Sequence, residues 1–172
     1  MSRLPLVDPD TNPELFADVQ KQMGGKPNMT KAMASSPAVL RGYLDLSRTL
    51  RSTLNAKTRE VIALAIAQSN RCEYCLSAHS YGAEHRLHLS ADEIAQARKG
   101  SSSDARTNAA VTFALAVNEK RGATEEDVSA ARAAGLTDKE IAEVVANVAL
   151  SVYTNFFNNT NDTDVDFPLV TP

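Results

Sequence analysis

The pattern of apolar and polar residues along this chain is that of helices throughout. Small helix-forming residues dominate, and no stretch alternates apolar and polar residues in the manner of a β-strand. Helix start and stop signals recur at regular intervals. Asn12 predicts the start of a first helix that Gly24 ends, and Ser36 predicts the cap of a second helix over 38–50. We therefore predict an all-α fold, a helical bundle.

Two capping boxes predict the starts of two more helices. They are Ser90-Ala-Asp-Glu93 and Thr137-Asp-Lys-Glu140, in which a hydroxyl and a carboxylate each bind a free backbone N–H group of the first turn. The surrounding segments 89–95 and 136–142 share the pattern L-[ST]-x-x-E-I-A, which is typical of a weak internal duplication of helical pairs. Chance is an equally good explanation, because any helix start favours such a box.

The middle of the chain contains its most apolar helix. Asn55 caps this helix, which is predicted to run to about residue 68, and the polar residues 69–71 predict a short break. The next helix is then expected to begin near Cys72. Apolar faces and glycine ends predict three later helices, over 103–121, 124–134 and 140–155.

The last residues predict an extended tail. After Phe156 the chain turns polar and ends in proline, so we expect one domain over 1–172 in which residues 159–172 are the tail. The tail carries Val165, Phe167 and Leu169, whose apolar side chains favour docking on this core or on another subunit. We expect it to lie across a neighbouring subunit.

Composition and charge exclude several classes of protein. Hydrophobic residues make up 43% of the chain, which predicts a globular core, and the net charge of −3 comes with no basic stripe that would bind nucleic acid. The longest apolar run, residues 61–67, is far shorter than the roughly 20 residues of a membrane-spanning helix. The first ten residues lack the apolar segment of a secretion signal, so a cytoplasmic location is expected.

The two cysteines of the chain are the strongest chemical signal. They lie three residues apart, as Cys72-Glu-Tyr-Cys75, and a bond between residues so close in sequence does not hold distant parts of a fold together. On a helix, Cys72, Cys75 and His79 share one face within two turns. The i,i+4 spacing lets the His79 imidazole take a proton from the Cys75 thiol, and the helix start favours a thiolate at Cys72.

Glu60 is the nearest upstream carboxylate on the preceding helix. Taken alone, it is typical of a solvated residue near a helix start. A turn at 69–71 would fold it back over the cysteines.

The pattern Glu60, Cys72-Glu-Tyr-Cys75 and His79, written E-x11-C-x-x-C-x-x-x-H, resembles the core motif of the carboxymuconolactone decarboxylase superfamily, in its alkylhydroperoxidase D-like branch. The resemblance covers about 56–94. It implies a thiol-dependent peroxidase in which Cys75 attacks the peroxide, Cys72 resolves the product as a disulfide, His79 accepts the proton and Glu60 orients His79. It also implies an antioxidant enzyme with no cofactor, and a homo-oligomer, either a trimer or a hexamer of paired trimers.

Two departures bear on this resemblance. The best-known hydroperoxidase of the branch has a histidine between its cysteines, whereas this chain has Tyr74, which we hold as a candidate substrate-binding residue. The decarboxylases of the superfamily lack the cysteine pair, so Cys72 and Cys75 argue against lactone decarboxylation. The expected partners are a hydroperoxide substrate and a dithiol or protein electron donor.

Other interpretations of the same residues stay open. The cysteines and His79 are zinc-type ligands, although a fourth ligand would be needed, and they could equally be inert core residues. His85 and His88 are expected to lie outside the site, and no metal is predicted. The alternative functions are a lyase that uses His79 as a base, and a non-catalytic redox or zinc interaction module.

Overall fold

The computed structural model of the protein describes all 172 residues, and its regular structure is helical, with no β-strand. The all-α prediction is therefore confirmed. A 3₁₀ turn at Pro9–Thr11 precedes nine α-helices. In chain order these are α1 (Pro13–Met23), α2 (Asn28–Met33), α3 (Pro37–Leu50), α4 (Ala56–Ser69), α5 (Glu73–Leu87), α6 (Ala91–Arg98), α7 (Ala105–Lys120), α8 (Glu125–Ala133) and α9 (Asp138–Asn161).

Most helix starts lie where the capping residues predict them. The side chain of Asn12 accepts a hydrogen bond from the first turn of α1, and that of Asn55 does the same for α4. Both capping boxes form, at Ser90 before α6 and at Thr137 before α9. These caps supply partners for N–H groups that have none within the helix, which is why the local sequence is enough to locate them.

Two elements differ from the prediction. Helix α2 was not predicted, because its six residues follow Pro27, which provides no side-chain cap. Helix α9 runs to Asn161 and not to about 155, so the tail begins at Asp162 and not at residue 159. The polar residues near its end suggest an exit from the helix, but Asn155, Asn158 and Asn161 are each at most 2% exposed. These asparagines face the interior of the protein, which the polarity of the local sequence does not predict.

Helix α4 lies at the centre of the bundle. Residues 61–67 are all buried, and α4 packs against α5, α6, α7 and α9. Burial on every side explains why this helix has almost no polar face in the sequence. None of the helices combines the length and the apolar composition needed to cross a membrane.

The tail packs on its own chain. The backbone N–H of Val170 donates to Ser77 Oγ on α5 at 2.9 Å, and the ring of Phe167 meets Tyr74 edge to face, with centroids 5.8 Å apart. The tail therefore docks on this core, where Tyr74 and Tyr81 of α5 contact the ring of Phe167. Contact of the tail with a neighbouring subunit stays a prediction.

Candidate functional site

The cysteines lie at the start of α5. Cys72 is the N-cap residue, and its Sγ accepts a hydrogen bond from the backbone N–H of Cys75 at 3.3 Å. The two residues form a disulfide, with their Cα atoms 5.3 Å apart. Both are buried, at 0% and 3% exposure. A single helical turn therefore brings the two sulfurs into bonding contact, and the free N–H groups of a helix start surround Cys72.

A tight turn after α4 brings Glu60 to α5. The C-cap Asn70 is followed by Arg71 in the left-handed region, with φ of 52°, so α5 folds back against α4. Glu60 Oε1 then lies 2.9 Å from His79 Nδ1. The fold therefore joins the predicted carboxylate to the predicted imidazole, over a separation of 19 residues.

The contact with Glu60 determines the tautomer of a neutral His79. A carboxylate only accepts hydrogen bonds, so Nδ1–H donates to Glu60 and Nε2 keeps its lone pair. His79 lies one helical turn after Cys75, but no hydrogen bond joins it to either sulfur in this disulfide form. The imidazole is thus oriented by Glu60 and has one basic nitrogen available.

Asn158 is a site residue that the sequence did not reveal. Its Nδ2 lies 3.4 Å from Cys75 Sγ and 3.2 Å from Met29 Sδ, and its Oδ1 is buried without a partner. The amide therefore reaches the Cys75 sulfur from α9. A polar residue buried on a helix that is otherwise apolar would have been the signal, but the neighbouring asparagines suggested a helix end.

A cavity of about 340 Å³ opens beside His79. It lies between α1, α3, α4, α5 and α9, and it is of a size that holds a small organic molecule. His79 and Glu60 line it, whereas neither cysteine does. Burial raises the pKa of Tyr43, another lining residue, to about 12, so its hydroxyl stays protonated at neutral pH. The remaining wall is mixed, and its apolar part consists of Met23, Leu50, Ala56, Ala63, Leu87 and Leu150.

Tyr74 lies on the other side of α5 and does not line this cavity. Its hydroxyl accepts a hydrogen bond from the Met29 N–H at 3.1 Å and donates to Asp166 Oδ1 at 2.9 Å. Burial raises its pKa well above the usual range, which keeps it protonated. The structure thus gives Tyr74 a role in anchoring α2 and the tail, and its assignment as a substrate-binding residue stays a prediction.

His85 and His88 lie at the far end of α5 and do not line the cavity. His85 is exposed and stacks on Tyr81, with ring centroids 4.1 Å apart. His88 caps the helix in the left-handed conformation. No three side chains of the metal-ligating types converge in the chain.

Comparison with known proteins finds a family model that matches the part of the chain containing this site. Residues 37–120, which contain Glu60, both cysteines and His79, match the model of the carboxymuconolactone decarboxylase family. A Haemophilus influenzae protein named only as uncharacterized is 48% identical over 46 residues. That segment is 26% of this chain and 41% of the relative, so the match spans less than half of the relative's length.

Two crystal structures resemble nearly the whole chain. An uncharacterized peroxidase-related protein from Silicibacter sp. TM1040 is 25% identical with a TM-score of 0.80, over 94% of this chain and 89% of that one. A peroxidase-related protein from Ralstonia eutropha JMP134, described as an alkylhydroperoxidase AhpD core, is 27% identical with a TM-score of 0.76, over 96% and 92%. The helical arrangement described above is thus that of AhpD-like proteins.

Proposed function

We propose that this chain, whose residues 37–120 match the model of the carboxymuconolactone decarboxylase family, is a thiol-dependent peroxidase that reduces a hydroperoxide through Cys72 and Cys75. One observation carries the proposal. The cysteines form a disulfide at the start of α5, and one turn later His79 is oriented by Glu60. A dithiol needs a neighbouring base to become nucleophilic at neutral pH, and this arrangement supplies one.

The first step oxidises Cys75. In the reduced enzyme, His79 Nε2 takes the thiol proton, and the thiolate attacks one oxygen of the hydroperoxide. The O–O bond breaks, Cys75 becomes a sulfenic acid, and the leaving alkoxide takes the proton from the imidazolium to form an alcohol. Glu60 keeps Nδ1–H as the donor, and it stabilises the charge on the imidazolium while the proton resides there.

The second step closes the disulfide. The Cys72 thiol attacks the Cys75 sulfenic acid, a sulfur–sulfur bond forms, and hydroxide leaves and takes the Cys72 proton as water. An external dithiol then reduces the disulfide by two exchange steps, and that donor is oxidised. The short Cα separation of 5.3 Å supports this step, because the helix start needs no rearrangement to join the sulfurs.

Asn158 is the group best placed to stabilise the Cys75 thiolate. Its Nδ2 already points at the sulfur at 3.4 Å, and an N–H donor strengthens its hydrogen bond when the acceptor becomes an anion. The residue is only 2% exposed, so little water competes for the contact. We assign Asn158 the role of a positioning residue for the thiolate.

The test has two parts, mass spectrometry of the reduced and oxidised protein and an assay of hydroperoxide consumption. Mass spectrometry of freshly purified protein is expected to show a reversible loss of two hydrogens on the peptide that contains Cys72 and Cys75. Hydroperoxide consumption is then followed with a set of dithiol donors, and Cys75→Ser is expected to abolish it. A protein that binds stoichiometric zinc and consumes no peroxide would instead be an interaction module.

One observation favours a second candidate function. The cavity exposes His79 and Glu60 but excludes both sulfurs. In a lyase or isomerase, His79 would take a proton from a carbon acid bound there, and the cysteines would be structural. The variant with both cysteines changed to serine separates the two functions. If the protein is a peroxidase, this variant is inactive. If the protein is a lyase, this variant stays active, and adding His79→Gln removes the activity.

A further inference from the structure

Three arginine side chains line the cavity that contains His79. Arg51 is the C-cap of α3, Arg59 lies near the start of α4, and Arg86 lies in the last turn of α5. None of them forms a salt bridge with a carboxylate. Three different helices therefore each contribute one arginine to this cavity, and none of these arginines is paired with a carboxylate.

The fold holds these guanidinium groups in place by backbone contacts. Arg51 Nη2 donates to the carbonyl oxygen of Gln22 at 2.7 Å, and Arg59 Nη1 donates to the carbonyl oxygen of Leu54. A guanidinium has five N–H donors, so each of these contacts leaves others free. Burial lowers the pKa of Arg59, although an arginine remains charged. The two groups are thus oriented and only partly satisfied.

Arg86 reaches the cavity because Gly82 leaves room for it. A Cβ atom built on Gly82 would collide with Nη2 of Arg86, one turn later on α5. The guanidinium therefore lies back along the helix, and its positive charge also acts on the buried Tyr43 hydroxyl. Glycine at this position allows the exposed guanidinium of Arg86 to lie against the helix, at the cavity wall.

The cavity wall also contains one carboxylate and the amide of Gln22. Glu60 is the only carboxylate among the lining residues, and it is already hydrogen-bonded to His79. The three arginines therefore leave an excess of two positive charges, even with His79 neutral. The Gln22 side chain also lines the cavity, and both of its amide atoms are buried without a partner. A buried amide lacking hydrogen bonds is costly unless a ligand satisfies it.

We propose that this cavity binds an organic carboxylate, and that the substrate is a hydroperoxide with an apolar body, a carboxylate group and a peroxide end that lies at His79. Neither sulfur lines the cavity in this disulfide form, so the proposal requires Cys75, one helical turn from His79, to be reached from the cavity in the reduced enzyme. The planar fork of a guanidinium matches a carboxylate, and Gln22 supplies a further N–H donor. Met23, Leu50 and Leu150 provide an apolar wall for the rest of the molecule. The inference rests on the proposed function for the reaction, and it adds the substrate class.

The kinetic test compares two peroxides that share a reacting group. Reduced protein is mixed in a single turnover with cumene hydroperoxide or with its 4-carboxy derivative, and the loss of free thiol is followed. The carboxylated peroxide is expected to react about tenfold faster at low concentration, and added salt is expected to narrow this ratio. Arg59→Gln and Arg86→Gln are expected to bring the ratio towards one. The matched control is Arg41→Gln, which changes an exposed α3 arginine outside the cavity and keeps the ratio.

A binding experiment separates this inference from the peroxidase proposal. Calorimetry with 4-isopropylbenzoate, which cannot react, is expected to show binding that Arg86→Gln weakens about tenfold, whereas 4-isopropylbenzamide binds weakly to both proteins. Arginine-dependent binding without oxidation by either peroxide would support the carboxylate site and overturn the peroxidase. Equal reaction of both peroxides, with no binding of the benzoate, would overturn the carboxylate site and leave the peroxidase standing.

Discussion

At the scale of single residues, the two cysteines have different surroundings although they share a motif. Cys72 Sγ accepts a backbone N–H at the helix start, whereas Cys75 Sγ meets the Asn158 amide and lies one turn before His79. Hydrogen bonds from backbone donors favour a thiolate at Cys72, while the neighbouring base favours one at Cys75. The sequence resemblance assigns the attack on peroxide to Cys75, and the position of His79 one turn after Cys75 agrees with that assignment.

The first prediction tests that order. Cys75→Ser is expected to abolish turnover, because no sulfenic acid forms at the attacking position. Cys72→Ser is expected to let Cys75 accumulate as sulfenic acid or as more oxidised forms, since no thiol remains to capture it. Trapping with a dimedone probe, followed by peptide mass spectrometry, locates the oxidised sulfur. If the probe labels Cys72 in the Cys75→Ser variant while Cys72→Ser stays unlabelled, the two roles are reversed.

The second prediction concerns the proton acceptor. His79→Ala removes the base one turn from Cys75, so the pH midpoint of Cys75 alkylation is expected to rise towards the ordinary thiol value of about 8.5. Peroxide reduction at pH 7 is then expected to fall by about a hundredfold and to recover partly in alkali, where the thiolate forms unaided. Glu60→Gln is expected to shift the same profile less, because it removes the partner of His79 and leaves the base.

A matched control exists on the same helix. His85 is exposed and does not line the cavity, so His85→Ala is expected to leave the alkylation profile unchanged. If His79→Ala and Glu60→Gln both kept the wild-type profile, the relay would be rejected. The disulfide chemistry would then depend on the helix start and on Asn158.

At the scale of helices, the capping box of α9 also joins α9 to α7. Glu140 accepts hydrogen bonds from the N–H and the hydroxyl of Thr137, and Arg106 of α7 binds the same carboxylate at 2.6 Å. The Thr137 N–H and the Arg106 guanidinium together hold the pKa of Glu140 at about 2, below its ordinary value of 4.5. One carboxylate therefore fixes a helix start and an interhelical contact.

The third prediction follows from the sign of that shift. A depressed pKa means that Glu140 stabilises the fold above its ordinary pKa, and that this contribution is lost as the pH falls from about 4.5 towards about 2. Glu140→Gln is expected to lower the Tm by about 2 °C at pH 7, because the amide oxygen still accepts the Thr137 N–H but the ion pair with Arg106, worth up to about 1 kcal/mol, is lost. The difference from wild type is expected to shrink between pH 4.5 and pH 2. Glu119→Gln, at an exposed position of α7, serves as the control.

The same helix shows what the sequence could and could not predict. Its start was predictable, because a capping box is a local pattern of four residues. Its end was not, because Asn161 is buried through contacts with Leu4 and Thr163 that no local pattern encodes. The Glu60–His79 contact was predictable from the break at 69–71 and the family motif, whereas the Asn158 contact with Cys75 spans 83 residues and carries no motif. The internal duplication stays a prediction.

The fourth prediction tests how α5 holds the tail. Tyr74→Phe leaves the buried Met29 N–H without its acceptor and releases Asp166, so it is expected to cost about 1–3 kcal/mol of unfolding free energy. Hydrogen exchange in the tail is expected to accelerate. Tyr81→Phe is the control, because Tyr81 is 40% exposed and its hydroxyl makes no hydrogen bond. A changed KM for peroxide with unchanged stability would instead return Tyr74 to the substrate site.

At the scale of the whole molecule, apolar side chains remain on the surface after the tail has docked. Val145 and Phe156 of α9 are 43% and 61% exposed, and their spacing of eleven residues puts them on one face of the helix. Val39 and Leu46 of α3 are also exposed, seven residues apart, and α3 packs beside α9. Exposed apolar residues on two helices that pack together favour a subunit interface at α3 and α9.

The fifth prediction is a symmetric homo-oligomer, a trimer or a hexamer, that buries this surface of α3 and α9. Cyclic symmetry repeats one contact and closes without leaving an exposed apolar end. Light scattering is expected to give a mass of three or six chains, and Phe156→Ser is expected to lower it. The control is Leu169→Ser, since Leu169 is 64% exposed but belongs to the tail, which is docked on its own chain. A monodisperse monomer near 18.5 kDa would contradict the prediction, and an equal loss of mass in both variants would move the interface to the tail.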